Sequence, residues 1–143
     1  MRITYLLLTF MMTLQLATAQ DELVTWEFTL NEAGDAIDIK AVMQDAWVIY
    51  SQHTEPDGPI PLEFEFIEIS GAELAGPVEE LSSVTEEFCD MFEVNVSKFK
   101  KEALFRQALK SEGGPVTIKG TVTFMTCDDT RCLPPETVPF EIN

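Results

Sequence analysis

Apolar and polar side chains alternate from Leu23 to Leu30, with Val24, Trp26, Phe28 and Leu30 on one parity and Thr25, Glu27 and Thr29 on the other. A period of two sends successive side chains to opposite faces, so this run predicts a strand buried on one side. Asn31 to Asp35, with Gly34, supplies a turn. Ala36 to Val42 and Asp45 to Gln52 offer two further extended runs rich in Ile, Val, Trp and Tyr. His53 to Pro61 carries Pro56, Pro59, Pro61 and Gly58, which makes it a loop. Leu62, Phe64 and Phe66 alternate with Glu63 and Glu65, then the phase slips to Ile67 and Ile69 about Glu68. A bulge or strand end near Phe66 accounts for the slip.

Between Ser97 and Lys110 propensity and pattern compete. Lys, Glu, Ala, Leu and Gln favour helix, whereas Val94, Val96 and Phe105 extend a sheet; the reading taken is strand, short turn, strand. From Pro115 the alternation is strongest, with Val116, Ile118, Val122 and Phe124 opposed to Thr117, Lys119, Thr121 and Thr123. Strands spaced in this way and separated by turn residues predict one all-β domain, an antiparallel sandwich.

The amino terminus reads differently. Arg2, an apolar run from Tyr5 to Leu16 and the small residues Ala17-Thr18-Ala19 match a cleaved signal peptide over 1–19, with Gln20 opening the mature domain 20–143. The run is interrupted by Thr9 and Thr13 and is short of the roughly 20 apolar residues of a membrane span. With no second apolar run, no membrane span is expected in the mature chain, and export from the cytoplasm is. The sequence holds 9 basic and 25 acidic residues, a formal charge of −16 at pH 7. A body so acidic is repelled by nucleic acid and by anionic lipid, so neither is an expected partner.

The chemistry that remains is sulfur. Parity carries Cys127 to the side of Lys119, Thr121 and Thr123, which predicts a solvent-facing position. Asp128-Asp129-Thr130-Arg131 is a polar connection, and Cys132 opens the extended segment Leu133 to Ile142. The two thiols flank a hairpin loop where their Cβ atoms can come within bonding reach. Such a bridge closes so small a ring that it removes only roughly 2 kcal/mol of unfolded-state entropy. Both a plain staple and a reducible, exchanging bridge fit the C-x4-C spacing. A zinc site from Cys89, Cys127, Cys132 and His53 lacks the paired short spacings such sites use, and Met43, Met91 and Met125 read as core filler, not copper ligands. No metal and no cofactor is therefore expected. His53, alone on a Pro-rich loop, reads as an ordinary surface residue.

Trp47-Val48-Ile49-Tyr50-Ser51-Gln52, the following Gly-Pro loop, and Phe124-Met125-Thr126-Cys127-Asp128-Asp129-Thr130-Arg131-Cys132-Leu133-Pro134-Pro135-Glu136 resemble the N-terminal periplasmic domain of the DsbD thiol:disulfide interchange proteins. The resemblance implies an immunoglobulin-like β-sandwich in the periplasm, with Cys127 and Cys132 as an exchanging pair and Cys132 forming the mixed disulfide. Arg131 beside Cys132 and Asp128 and Asp129 beside Cys127 agree with that order. It further implies a thioredoxin-like electron donor, and acceptors such as disulfide isomerases or cytochrome c maturation thioredoxins.

Glu86-Glu87-Phe88 is similar to a family segment in which a phenylalanine shields the pair; the plainer reading is a surface turn with Phe88 packed inward. Cys89 departs from the family pattern and is either buried and inert or close enough to exchange. The family protein continues into a membrane conduit and a thioredoxin-like domain, so a chain ending at Asn143 reads as a standalone copy served by a separate donor. The rival function is a non-catalytic immunoglobulin-like module that binds a protein partner and keeps the disulfide as a staple.

Overall fold

The computed structural model describes residues 22–143; the signal peptide assigned to 1–19 and the start at Gln20 lie outside them. Twelve strands and no helix make up the described residues. The first layer runs β1 (Val24–Leu30), β2 (Ala36–Met43), β9 (Glu102–Ser111), β5 (Ala72–Leu74), with the short β6 (Glu79–Glu80) also paired to β9. The second is β12 (Glu136–Ile142), β10 (Thr117–Phe124), β4 (Glu63–Ser70). Every pairing is antiparallel.

The alternating positions turn their apolar parity inward, as the pattern predicts. Trp26 packs on Phe124 with ring centroids 5.4 Å apart and Phe28 stacks on Phe140 at 4.0 Å, so the two layers enclose one aromatic-rich core. The β1–β2 turn closes through Asn31, whose side-chain oxygen accepts from the Asp35 N–H at 3.0 Å while Gly34 takes φ 71°. The slip in the β4 pattern is a bulge: Lys119 pairs with Glu68 and Gly120 with Phe66, leaving Ile67 as the extra residue, 65% exposed. Gly120 stands under the Phe140 ring at the bulge, where a Cβ would collide with the ring and with the Glu65 backbone.

A third sheet, ordered β11 (Thr126–Cys127), β3 (Val48–Tyr50), β8 (Val94–Lys100), β7 (Thr85–Cys89), grows out of the sandwich. β8 passes to β9 through the single residue Lys101, at φ 66°, and β10 passes to β11 through Met125, so two strands change sheets without a loop. The ambiguous stretch is thus strand, turn, strand. One face of this sheet, with Ile49 and Phe99, joins the main core. Its other face carries a separate small cluster built on Tyr50, Val96 and Cys127. Glu80 anchors the segment after β3, its carboxylate accepting from Ser51 Oγ at 2.9 Å and from the Gln52 N–H at 2.8 Å.

Candidate functional site

Cys127 ends β11 opposite Val48, and Cys132 lies across from it in an isolated antiparallel bridge. The Asp128 N–H donates to the Arg131 carbonyl at 2.9 Å and the Leu133 N–H to the Thr126 carbonyl at 3.0 Å. These bonds flank the cysteines and make them a non-hydrogen-bonded pair, the kind whose side chains approach most closely. Their Cα atoms are 4.0 Å apart and the sulfurs are joined as a disulfide. Asp128 shapes the connecting loop: its Oδ1 accepts from the Thr130 N–H at 2.9 Å, the Arg131 N–H at 2.8 Å and Thr130 Oγ1 at 3.0 Å. The Thr130 and Arg131 backbone N–H groups hold its carboxyl below the usual carboxylate range.

Cys127 is only 2% exposed, whereas Cys132 is half-buried. This corrects the solvent-facing position predicted from parity. The parity itself is right, because Cys127 does lie on the face away from the main core. That face is covered: the register aligns Cys127 with Val48, Tyr50 with Lys98, Val96 with Glu87 and Val94 with Cys89, and the apolar members close over the inner sulfur. Burial, with Cys89 and Glu87 nearby, pushes the Tyr50 hydroxyl up to about 12.

The β7–β8 turn reaches the bridge. The Cys89 carbonyl accepts from the N–H groups of Phe92 at 3.3 Å and Glu93 at 2.8 Å, and the tip folds so that Met91 Sδ lies 3.5 Å from Cys132 Sγ. Met91 is 48% exposed, so it is not the core filler expected of it. Nothing local marked it, since a methionine in a turn has no periodicity to betray its neighbours. Sequence reasoning also missed Tyr50 as the floor of the sulfur cluster.

Cys89, a free thiol, Met91, Cys127 and Cys132 all line one depression of about 230 Å³. Phe88 borders the same depression and is 58% exposed, which removes the inward-packed reading. On β7, however, Glu87 and Cys89 alternate with Glu86 and Phe88. The three residues singled out as a shield therefore divide between the two faces of the strand, with Glu87 on the sulfur side. Glu87 pairs with Lys98 and lies 3.7 Å from Lys100 Nζ, and Lys98 chiefly holds its carboxyl low. The Arg131 guanidinium sits 5.5 Å over the Trp47 ring, its Nε 4.0 Å from Asp128 Oδ2, so its charge is shared with that carboxylate.

Among the described residues no group of three or more His, Cys, Asp or Glu side chains stands together as a metal site in this oxidised state, and no helix is long and apolar enough to cross a membrane.

No protein-family model matches the chain, and no curated protein sequence does. Solved structures do. The reduced N-terminal domain of Neisseria meningitidis DsbD superimposes with a TM-score of 0.61 at 19% identity, over 84% of each chain. The complex of the DsbD and PilB N-terminal domains from the same organism gives 0.60 at 14% identity, over 82% of this chain and 80% of that one. The N-terminal periplasmic domain of ScsB from Proteus mirabilis gives 0.57 at 17% identity, over 83% of this chain and 44% of that one. The described chain therefore has the all-β, immunoglobulin-like fold of the DsbD N-terminal domains, with a disulfide between Cys127 and Cys132.

Proposed function

We propose that this domain is a thiol–disulfide exchange module working outside the cytoplasm through Cys127 and Cys132. The observation that carries the reading is the asymmetry of the bridge: Cys127 is 2% exposed and Cys132 half-buried, so one sulfur is open to a partner and the other is withheld. Exchange requires an attacking thiolate to approach a sulfur in line, and here that approach leads to Cys132.

In the reducing direction, the Cys132 thiolate attacks a partner's disulfide, forming a mixed bond while the partner's own S–S bond breaks. The Cys127 thiolate then attacks Cys132 Sγ, closing the pair and releasing the partner as a dithiol with both electrons. A thioredoxin-like donor reverses these steps to recharge the pair. The acceptors are disulfide isomerases or cytochrome c maturation thioredoxins of the periplasm, with residues 20–143 as the exported domain after signal cleavage. A DsbD N-terminal domain caught with the PilB N-terminal domain supports a protein partner for this fold.

A second reading has one observation in its favour. Cys127 is embedded in a packed apolar cluster, as a staple would be, and a binding module could keep the bridge for stability alone. Equilibration with dithiothreitol redox buffers separates the two. A reduction potential well above about −300 mV supports exchange, and one far below it identifies a structural bond.

A further inference from the structure

Disulfide chemistry does not account for Met91. Its thioether lies 3.5 Å from Cys132 Sγ although the residue is 48% exposed. We propose that the reduced domain binds one Cu(I) ion between Cys127 Sγ, Cys132 Sγ and Met91 Sδ, and that closing the disulfide destroys the site. The proposal rests on the exchange reading only in requiring that the pair can be reduced.

Two thiolates and a thioether form a wholly soft donor set, which selects Cu(I) over the oxygen- and nitrogen-seeking ions. With metal–sulfur bonds of about 2.3 Å in a trigonal plane, the sulfurs stand roughly 4 Å apart. The Met91 to Cys132 separation of 3.5 Å is already close to one edge of that triangle. Reduction supplies a second edge by letting Cys127 and Cys132 relax from bonding to contact distance, and Cys127 and Met91 line the same depression. In the oxidised pair the same sulfurs are bonded to each other and offer no thiolate.

Charge favours entry, because Glu87, Asp90, Asp128 and Asp129 line the same depression against Lys98 alone, which leaves the lining net negative and raises the local concentration of cations. The step balances without electron transfer: two thiols release two protons, one Cu(I) enters, and the three-sulfur centre carries a net charge of −1. A bound ion occupies the Cys132 lone pair that attacks partners, so metal binding and exchange exclude one another.

The full chain, reduced with dithiothreitol and desalted under nitrogen, is titrated with Cu(I) against bicinchoninate as a coloured competitor. Reduced wild type is expected to take one equivalent and the oxidised form none. Met91→Leu should keep its thiol count yet bind at least about tenfold more weakly. Cys132→Ser should lose the site, and Cys89→Ser should bind as wild type does. Reduced wild type that leaves all copper with the competitor overturns the proposal, as does Met91→Leu binding undiminished or Cys89→Ser abolishing binding. Exchange is scored apart from copper, by the reduction potential, so failure of one reading is visible without the other.

Discussion

At the residue scale the site is organised by unequal access to two bonded sulfurs. Cys127→Ala leaves the reachable sulfur in place with nothing to resolve a mixed disulfide, so it should trap a thioredoxin-like protein through Cys132. Cys132→Ala leaves a thiol that is 2% exposed in the native fold and should trap little. Equal trapping by both, seen on non-reducing gels, would remove the division of roles. Tyr50 supplies a second residue-scale prediction. Its hydroxyl is raised from 10.0 to about 12 by burial, so the unfolded chain gives up this proton first as the pH rises. The stability gained by burying the neutral ring is complete below pH 10 and falls between 10 and 12. Urea midpoints measured across that range should decline more steeply for wild type than for Tyr50→Phe; parallel curves would mean that Tyr50 ionises as freely in the fold as outside it.

At the scale of elements, the β7–β8 hairpin decides access to the bridge. The register puts Phe88 on the opposite parity of β7 from Glu87 and Cys89, at the border of the depression, whereas the tip brings Met91 onto Cys132. Met91→Ala should therefore speed reduction by dithiothreitol, and Phe88→Ala should speed it less. Both side chains are about half exposed, so neither truncation should approach the roughly 3 to 5 kcal/mol cost of removing a core phenylalanine. A larger rate increase for Phe88→Ala would return the shielding role to the aromatic ring. How legible these elements were depends on what the residues must satisfy. β1, β2, β4 and β10 each bury one parity, which writes the strand into the pattern, and the β4 bulge shows as a one-residue slip at Ile67. β5, β6 and β7 are short, mostly exposed and rich in Glu, so no alternation announces them. Parity likewise gave the face of Cys127 but not its cover, because the covering residues come from β3, β8 and the hairpin, remote in sequence.

At the scale of the whole molecule, the main core and the sulfur cluster are two separate apolar bodies sharing the third sheet. The large one contains Phe105, Phe124, Ile118 and Phe140 between the layers, and the small one contains Tyr50, Val96 and Cys127. Neither cysteine contributes to the large core, so the sandwich should remain folded when the bridge opens. The bridge spans a sequence separation of 5, and so short a ring restrains the unfolded chain by only roughly 2 kcal/mol. Reduction should then lower the urea midpoint by about 1 M, given the usual dependence of small-domain stability on urea. Far-ultraviolet circular dichroism should keep its β signature and the transition should stay cooperative. Phe105→Ala provides the contrast, because that ring is 1% exposed and sits against Trp26, Phe64 and Phe99 at 5.4 to 6.1 Å. Its loss should cost roughly 3 to 5 kcal/mol in either redox state. A domain that opens and closes its bridge while exchanging electrons must survive both states, so the two unfolding curves bear directly on function. If reduction alone abolished the cooperative transition, the bridge would be part of the fold's foundation, and the staple reading would replace exchange.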